Sequence, residues 1–304
     1  MSFQMKNRHA RRVLQGAAVS LFAILSSVAH ADWDGLNMPE GVTILSKKIY
    51  DLHMLILWIC VAIAVVVFGA MIYSLIRFRK SQGAEADKTL VHSTKVEIVW
   101  TVIPIVILVG MAVPIAKTLV EIEDMSGVDL NIKVTGYQWK WEYEYLGQNV
   151  SFFSTLKRDS DAARQLGSGI DPKTVPNYLL DVDNHLVIPA GQKIQFLLTA
   201  QDVIHAWWVP ALGMKKDAIP GYINHIWVQV DPKKLDPSKP AIFRGQCAEL
   251  CGRDHGFMPI VVEVKSPAEF DEWLRAKQAE QKLAAVAPDA PAVTASAAPA
   301  ALAQ

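Results

Sequence analysis

The hydrophobic residues of this chain follow two different patterns, one before residue 120 and one after residue 128. Residues 52–76 and 98–116 are continuous apolar runs without an acidic or amine side chain. Each run is long enough to cross the hydrocarbon core of a bilayer as a helix. Pro104 and Pro114 are tolerated in the second run, because membrane helices can satisfy a freed carbonyl in other ways. The pattern predicts a transmembrane helical hairpin at 52–120.

The charges beside the two runs predict their orientation. The connecting loop, 77–95, is rich in basic side chains, whereas the segment after the second run begins with acidic ones. Basic loops remain in the cytoplasm, so we expect this loop inside and everything after residue 120 outside. The basic residues are Arg77, Arg79, Lys80, Lys88 and Lys95, against Glu85 and Asp87, and the acidic ones are Glu121, Glu123 and Asp124.

The first 31 residues have the layout of a secretory signal peptide. A basic stretch precedes an apolar run at 13–28, and Ala29-His30-Ala31 fits a cleavage site. A retained membrane helix is the alternative, and residue 32 lies outside the cytoplasm in both cases. We therefore expect a multi-pass protein of a bacterial inner membrane, with a periplasmic segment at 32–51 and both mature termini in the periplasm.

From residue 128 the pattern changes to short stretches of alternating apolar and polar residues. They are rich in β-branched and aromatic side chains and have turn residues between them, which is typical of strands. Several strands without helices between them predict an antiparallel sandwich or barrel at 128–266. The polar stretch 147–183 predicts an insertion or long loop of no evident function. Residues 267–283 predict an amphipathic helix, and the Ala/Pro-rich residues 284–304 a disordered tail.

The charge composition does not favour nucleic acid as a partner. The chain has 304 residues, and its formal net charge is zero. A balanced charge gives no reason to expect nucleic acid as a partner. The apolar residues concentrate before residue 120 instead, which again indicates a membrane.

The residues with metal-binding chemistry lie together in one short stretch, GQCAELCGRDHGFMP, at 245–259. It contains Cys247, Cys251, His255 and Met258. His205 lies near the end of an upstream strand, where a sandwich could bring it to the same rim. Outside the cytoplasm, two neighbouring cysteines are by themselves as consistent with a disulfide as with a metal site, so both alternatives are open at this point.

The softness of the donor atoms separates the candidate metals. Structural zinc uses thiolate and imidazole without a thioether, whereas thiolate, imidazole and methionine together favour copper. Two thiolates can bridge two copper ions, which leaves each ion one histidine and one weak ligand. His205 and His255 supply the imidazoles and Met258 one weak ligand, while the carbonyl of Glu249 could be the other. Such a closed site suits electron transfer.

Three motifs carry a resemblance to a known family: QWKWEYEY at 138–145, DVIHAWWVPALGMKKDAIPG at 202–221 and GQCAELCGRDHGFMPIVVEV at 245–264. With the helical hairpin, they make the chain similar to subunit II of the haem–copper cytochrome c oxidases. The resemblance implies a two-helix transmembrane hairpin followed by an all-β cupredoxin-like Greek-key domain. It also implies that a binuclear copper centre, CuA, accepts electrons from cytochrome c. These pass to haem in subunit I, where oxygen is reduced to water and protons are pumped.

The resemblance also assigns roles to individual residues. The ligands of the two coppers would be His205, Cys247, the carbonyl of Glu249, Cys251, His255 and Met258. The side chain of Glu249 would face a magnesium ion shared with subunit I. Other oxidase subunits and the membrane are the further partners that it implies.

The resemblance also implies roles for four more residues. Trp139 would accept electrons from cytochrome c, and Glu97 would lie at the entrance of a proton pathway. Asp202 and Glu144 are candidate docking acids for the basic cytochrome c. The alternatives are a core aromatic for Trp139, an interfacial acid for Glu97 and ordinary surface acids for the other two.

Two other classes of function are weighed against an oxidase subunit. A membrane-anchored copper chaperone or storage protein would need an open, exchangeable site, which six enclosing ligands do not favour. A structural subunit would use Cys247 and Cys251 as a disulfide, whereas a metal site needs both sulfurs as thiolates.

Overall fold

The structure is a computed structural model, and it describes residues 33–79, 81, 83, 85, 89 and 92–286. The predicted signal peptide and residues 287–304 of the predicted tail lie outside the described residues. A short helical turn, Trp33–Leu36, precedes the main elements.

Two long helices begin the main body, α1 (Ile44–Arg77) and α2 (Thr94–Ile122). Both are long and apolar enough to cross a membrane, and they contain the predicted runs 52–76 and 98–116. Helix α1 begins eight residues before the predicted run, within the segment 32–51 that was predicted to be periplasmic. Thr43 explains this start, because its side chain accepts a hydrogen bond from the amide of Ser46, and the Ser46 hydroxyl accepts one from the amide of Thr43.

Ten strands follow, in two five-stranded sheets. One sheet has the order β3-β2-β1-β5-β8 and the other the order β4-β10-β9-β6-β7. The bounds are β1 Leu130–Tyr137, β2 Lys140–Tyr145, β3 Val150–Ser154, β4 Leu186–Pro189, β5 Ile194–Ala200, β6 His205–Val209, β7 Met214–Ala218, β8 Asn224–Val228, β9 Ala241–Cys247 and β10 Pro259–Lys265.

The predicted fold class, a helical hairpin followed by an all-β cupredoxin-like domain, is confirmed, but the expectation of a purely antiparallel domain is wrong. Strand β1 pairs with β5 in parallel, and β10 pairs with β4 in parallel. Each parallel pair joins strands that are distant in sequence, with long connections between them, so no hairpin turn marks the pairing. Local alternation predicts a strand but says nothing about its partner.

The core lies between the two sheets and follows the alternation of the strands. In β2, Trp141, Tyr143 and Tyr145 point inward and are fully buried, while the residues between them are partly exposed. Burying one such aromatic side chain stabilises the fold by about 1.5–3 kcal/mol. Two helices accompany the sheets, α3 (Arg158–Ala163) and α4 (Pro267–Val286). Helix α4 covers one edge of the core, where Trp273 packs against Tyr145 with ring centroids 5.3 Å apart.

The start of α1 contacts the turn that follows strand β6. The Thr43 hydroxyl donates a hydrogen bond to the Leu212 carbonyl at 2.9 Å, and the Val42 amide donates one to the Ala211 carbonyl at 2.8 Å. Gly213 completes the contact, because a Cβ on this residue would lie 2.5 Å from the Cβ of Ser46. The start of the helical hairpin is therefore hydrogen-bonded to the turn that directly follows the strand carrying His205.

Candidate metal centre

Paired strands bring the predicted ligands together at one end of the sandwich. His205 is the first residue of β6, and Cys247 is the last residue of the neighbouring strand β9. These strands pair antiparallel, with Trp207 opposite Cys247. The connection from β9 to β10, which we call the copper loop (residues 248–258), carries the remaining predicted donors. The hydrogen-bond register of the sheet thus places a histidine from one strand beside a cysteine from the next.

The donor atoms form a closed set around the two sulfurs. The Sγ atoms of Cys247 and Cys251 lie 4.0 Å apart. Cys247 Sγ lies 3.9 Å from Nδ1 of His205 and 3.4 Å from the carbonyl oxygen of Glu249. Cys251 Sγ lies 3.5 Å from Nδ1 of His255 and 3.5 Å from Sδ of Met258. Each sulfur therefore has one imidazole nitrogen and one weak donor beside it.

The site is secluded, and the two thiols are not joined. His205, Cys247, Cys251 and Met258 are all buried, and His255 is partly exposed. The separation of the sulfurs is about twice the 2.05 Å length of a disulfide bond, and both cysteines are free. Ligand atoms of His205 and the two cysteines lie within 4.8 Å of one another, close enough to share a metal. The arrangement fits a metal site better than a disulfide.

The His205 ring is held in place on three sides. Its Nε2 lies 3.0 Å from Oδ1 of Asp202, and the Trp141 ring meets it edge-on with centroids 5.8 Å apart. A Cβ at Gly136 would lie 2.8 Å from its Cδ2, so only glycine leaves room for the ring there. When Asp202 accepts the proton of Nε2, the lone pair of Nδ1 is free to bind a metal.

Asp202 itself is held by three hydrogen-bond donors. Oδ1 accepts from the amide of Val203 at 2.7 Å as well as from His205, and Oδ2 accepts from the amide of Gln138 at 2.7 Å. Although burial raises the pKa of Asp202, these hydrogen bonds outweigh it and hold the pKa below the usual value of an aspartate. The carboxylate is therefore charged near neutral pH and fixes the His205 ring.

The electrostatics of the two thiols favour a bound cation. Burial lowers the pKa of His205, but its contacts with Cys247 and Asp202 more than offset this, so the net pKa is raised above the usual value of a histidine. Burial raises the pKa of Cys247, and the His205 contact more than offsets it, so the net pKa is lowered. Burial, followed by repulsion from Cys247, raises the pKa of Cys251 to about 12. Two thiolates at this distance repel each other, so both ionise readily only when a cation binds between them.

Trp139 lies directly against the copper loop. Its Nε1 donates to the carbonyl of Cys251 at 3.3 Å, and Nε2 of Gln138 donates to the same oxygen at 2.8 Å. Unlike the three aromatics that follow it in β2, Trp139 is only partly buried. Gly252 adopts φ +119°, and a Cβ there would lie 3.1 Å from Cζ2 of Trp139. This indole connects the protein surface to the backbone of a predicted ligand.

The other predicted residues lie outside this cluster. Glu97 is in the first turn of α2, with Oε1 3.9 Å from Nδ1 of His92. Glu249 is exposed. Glu144 is partly exposed and pairs with Lys133 at 3.3 Å. Since Glu144 and Asp202 both have partners within the chain, their docking role stays a prediction.

Sequence reasoning missed two residues that support the site. Asp202 was predicted only as a docking acid or an ordinary surface acid, and Gly136 was not considered, yet both contact the His205 ring. A signal existed for each of them: Asp202 precedes His205 by three residues, and a glycine inside a strand often marks a close approach by another group.

Two family models match the chain. Residues 130–265 match the periplasmic domain of cytochrome c oxidase subunit II, and residues 31–117 match the transmembrane domain of the same subunit. Together they cover helix α1, most of helix α2 and all ten strands of the described residues.

Curated relatives agree with these matches. A probable cytochrome c oxidase subunit 2 from Rickettsia felis is 40% identical over 265 residues, which is 86% of this chain and 78% of that protein. Cytochrome c oxidase subunit 2 from Arabidopsis thaliana is 34% identical over 84% of this chain and 94% of its own length. Among solved structures, the periplasmic domain of subunit II of cytochrome oxidase from Bradyrhizobium japonicum is 38% identical. That match covers 50% of this chain and 96% of that one, with a TM-score of 0.40.

Proposed function

The chain belongs to the cytochrome c oxidase subunit II family, and we propose that it is the subunit through which electrons enter a haem–copper oxidase. The family resemblance predicted from the motifs is confirmed. Cytochrome c oxidase subunit II is part of the haem–copper oxidase complex, which reduces oxygen. In the proposed role, electrons from cytochrome c reach haem in subunit I, and the reduction of oxygen to water is coupled to proton pumping.

One observation carries the proposal: two unjoined buried sulfurs, each with one imidazole nitrogen and one weak donor beside it. Thiolate, imidazole and thioether are the donors that favour copper. The residues that would hold a binuclear copper centre are His205, Cys247, Glu249 through its carbonyl, Cys251, His255 and Met258. Copper bound there supplies reversible one-electron oxidation and reduction.

The surrounding residues would keep the donors still while an electron arrives and leaves. Asp202 holds the proton of His205 on Nε2, so that Nδ1 stays directed at Cys247. Trp141 closes the site from the core side by donating its indole hydrogen to the Met258 carbonyl at 3.3 Å. Burial of the sulfurs excludes water, which limits oxidation of the thiols. A site that changes little between two charge states is suited to fast electron transfer.

Electrons would enter at Trp139. Its ring is partly exposed, and its Nε1 reaches the carbonyl of Cys251, so one side chain spans the distance from the surface to the ligand loop. Basic cytochrome c would approach this face, with Glu144 and Asp202 as candidate docking acids. The proposal for these two acids rests on position alone, because each also has a partner within the chain.

The remaining roles concern the membrane and subunit I. The chain is a membrane protein, and we propose that it lies in a bacterial inner membrane with the copper domain in the periplasm. The exposed Glu249 side chain would contribute to a magnesium site shared with subunit I. Glu97, in the first turn of α2, would lie at the cytoplasmic entrance of a proton pathway. Other oxidase subunits would pack against the hairpin.

A single-turnover experiment tests the electron-entry role. The full chain, purified in detergent and loaded with copper, is mixed with reduced cytochrome c under anaerobic conditions. We expect each chain to oxidise one cytochrome, and we expect neither the metal-free chain nor Cys247→Ser to oxidise any. Copper that moves to a chelator without oxidising cytochrome c would instead favour a chaperone or storage protein. Two thiols lost without copper binding would favour a disulfide.

A further inference from the structure

The polar stretch 147–183 is not all loop, because it contains strand β3, and the part after that strand forms a closed segment between β3 and β4. We call Thr155–Asp183 the β3–β4 segment. Its two ends are joined by a bridge between Leu156 and Val182. A hydrogen bond from the Asp183 amide to the Thr155 carbonyl, at 3.1 Å, lies beside that bridge. With its ends fixed, the segment can hold a side chain at a defined place over the sandwich.

Helix α3 gives the segment an internal anchor. Ser160 is fully buried, and its hydroxyl accepts a hydrogen bond from the Leu179 amide at 3.2 Å. Ala163 is buried on the same helix. Arg164 is the C-cap residue that directly follows this helix, and its Nε donates a hydrogen bond to Oδ1 of Asp161 at 2.7 Å. A side chain of helix α3 therefore orients the guanidinium.

Arg164 contacts the copper loop on both sides of a predicted ligand. Its Nη1 lies 3.5 Å from Oδ1 of Asp254, the residue before His255. Its guanidinium carbon lies 4.2 Å from the ring centre of Phe257, two residues after His255. That distance is well within the about 6 Å range of a cation–π contact. The Phe257 amide also bonds to the Asp254 carbonyl at 2.9 Å, so Arg164 holds both ends of the turn that carries His255.

The partial burial of this contact makes it more than a surface ion pair. The Arg164 side chain is 22% exposed and that of Asp254 is 16% exposed. Exposed ion pairs contribute little because water screens them, and this pair is largely shielded from water. His255 has no strand to hold it, since it lies in a short turn within the loop. A planar guanidinium that both pairs and stacks is suited to hold such a turn.

We propose that Arg164 is a positioning residue that fixes His255 for copper binding, and that this is the role of the β3–β4 segment. The inference rests on the proposed copper function. Arg164 acts through Asp254 and Phe257, so it does not itself bind the metal. Residues that orient a ligand typically change metal affinity by about 10–100-fold when they are replaced.

Copper release from the full chain in detergent tests the inference. Copper-loaded protein is mixed with excess ethylenediaminetetraacetate, and the rate of copper loss is followed. We expect Arg164→Ala to release copper about tenfold faster than the wild type. Arg164→Lys should be intermediate, because an ammonium group can pair with Asp254 but cannot lie flat on the Phe257 ring. Arg158→Ala is the matched control, since Arg158 is an exposed arginine on the same helix, and it should release copper at the wild-type rate.

Two further readouts separate positioning from general loss of structure. Electron–nuclear double resonance should show one histidine nitrogen coupling changed in Arg164→Ala and the other unchanged. Phe257→Leu alone should speed release, and adding Arg164→Lys to it should speed release by less than the product of the two single effects. The inference would be overturned if Arg164→Ala released copper at the wild-type rate, or if both histidine nitrogen couplings changed equally. A wild-type chain that does not hold two coppers would overturn the proposed function, and this inference with it.

Discussion

His205 and His255 present the same nitrogen, Nδ1, to neighbouring sulfurs, but the molecule supports them in different ways. His205 begins a strand, is completely buried and is fixed by the Asp202 carboxylate. His255 lies in a short turn of the copper loop, is partly exposed and is held through side chains on either side of it. The sheet and the core position His205. In the proposed arrangement, the β3–β4 segment positions His255 through the contacts of Arg164 with the copper loop.

The difference indicates where the site is rigid and where it can adjust. Strand β6 cannot move without disturbing the sheet, so substitutions that displace His205 should abolish metal binding. The copper loop can shift, so substitutions in the loop should lower metal affinity without abolishing metal binding. Substitutions matched across the two sides test this contrast.

The largest effect is expected for Gly136→Ala. The new Cβ would lie 2.8 Å from Cδ2 of His205, and the Trp141 ring stands against the His205 ring as well. The ring cannot move away within a packed core, where overpacking costs about 1–3 kcal/mol. We expect copper content to fall from two per chain towards zero, measured by elemental analysis. The thermal midpoint of the metal-free chain should fall as well.

Gly256→Ala is the matched change on the loop side. Gly256 is next to His255, and a Cβ there would have nothing within 4 Å. Copper content and thermal midpoint should match those of the wild type. If both glycine variants lost copper equally, the contrast between the two sides would be wrong.

The next largest effect is expected for Asp202→Asn. An amide presents an NH2 group where the carboxylate accepts from His205, Val203 and Gln138, so at least one of these donors loses its acceptor. Loss of such a partner typically lowers metal affinity by about 10–100-fold. Competition with a chelator of known affinity measures it.

Glu144→Gln is the control for Asp202. Glu144 pairs with Lys133 and does not contact a predicted ligand. If Asp202 and Glu144 serve only as docking acids, both variants should weaken cytochrome c binding and leave copper affinity unchanged. A changed copper affinity in Asp202→Asn alone would identify Asp202 as the residue that holds His205.

A smaller effect is expected for Gly252→Ala. Its φ of +119° is unfavourable for alanine, but the nearest atoms are the side-chain ends of Gln138 and Trp139, which can shift. Strain of about 1 kcal/mol corresponds to a factor of about five in an equilibrium constant. The chain should still bind two coppers and release them several times faster than the wild type. Complete loss of copper would show that the loop is as rigid as the strand.

The smallest effect on copper is expected for Trp139→Phe. The change removes the hydrogen bond from Nε1 to the Cys251 carbonyl and makes the side chain smaller, but it keeps an aromatic ring. Copper content should stay at the wild-type value, whereas the second-order rate of cytochrome c oxidation should fall. A normal rate with normal copper would exclude Trp139 as the electron entry point.

The sequence alone could predict the elements whose signal is local. Continuous apolar runs indicated the two helices, and alternation indicated β2 with its buried Trp141, Tyr143 and Tyr145. The spacing of Cys247, Cys251, His255 and Met258 within one loop identified the candidate donors without knowledge of the fold. Each of these signals lies within one short stretch of chain.

The contacts that Gly136 and Arg164 make with the site could not be predicted, because each joins residues that are distant in sequence. Gly136 and His205 meet only after β1 and β6 have taken their places in different sheets. Arg164 reaches Phe257 across ninety-three positions, from a stretch whose polarity indicated only a loop. The parallel pairing of β1 with β5 is of the same kind, since its energy depends on tertiary contacts.

Electron paramagnetic resonance of the full chain in detergent, loaded with copper, tests the central claim most directly. The claim is that both sulfurs bind a pair of coppers, with His205 on one side and His255 on the other. We expect hyperfine structure from one unpaired electron shared over two copper nuclei. A spectrum from a single copper, or no signal with both thiols oxidised, would contradict the claim.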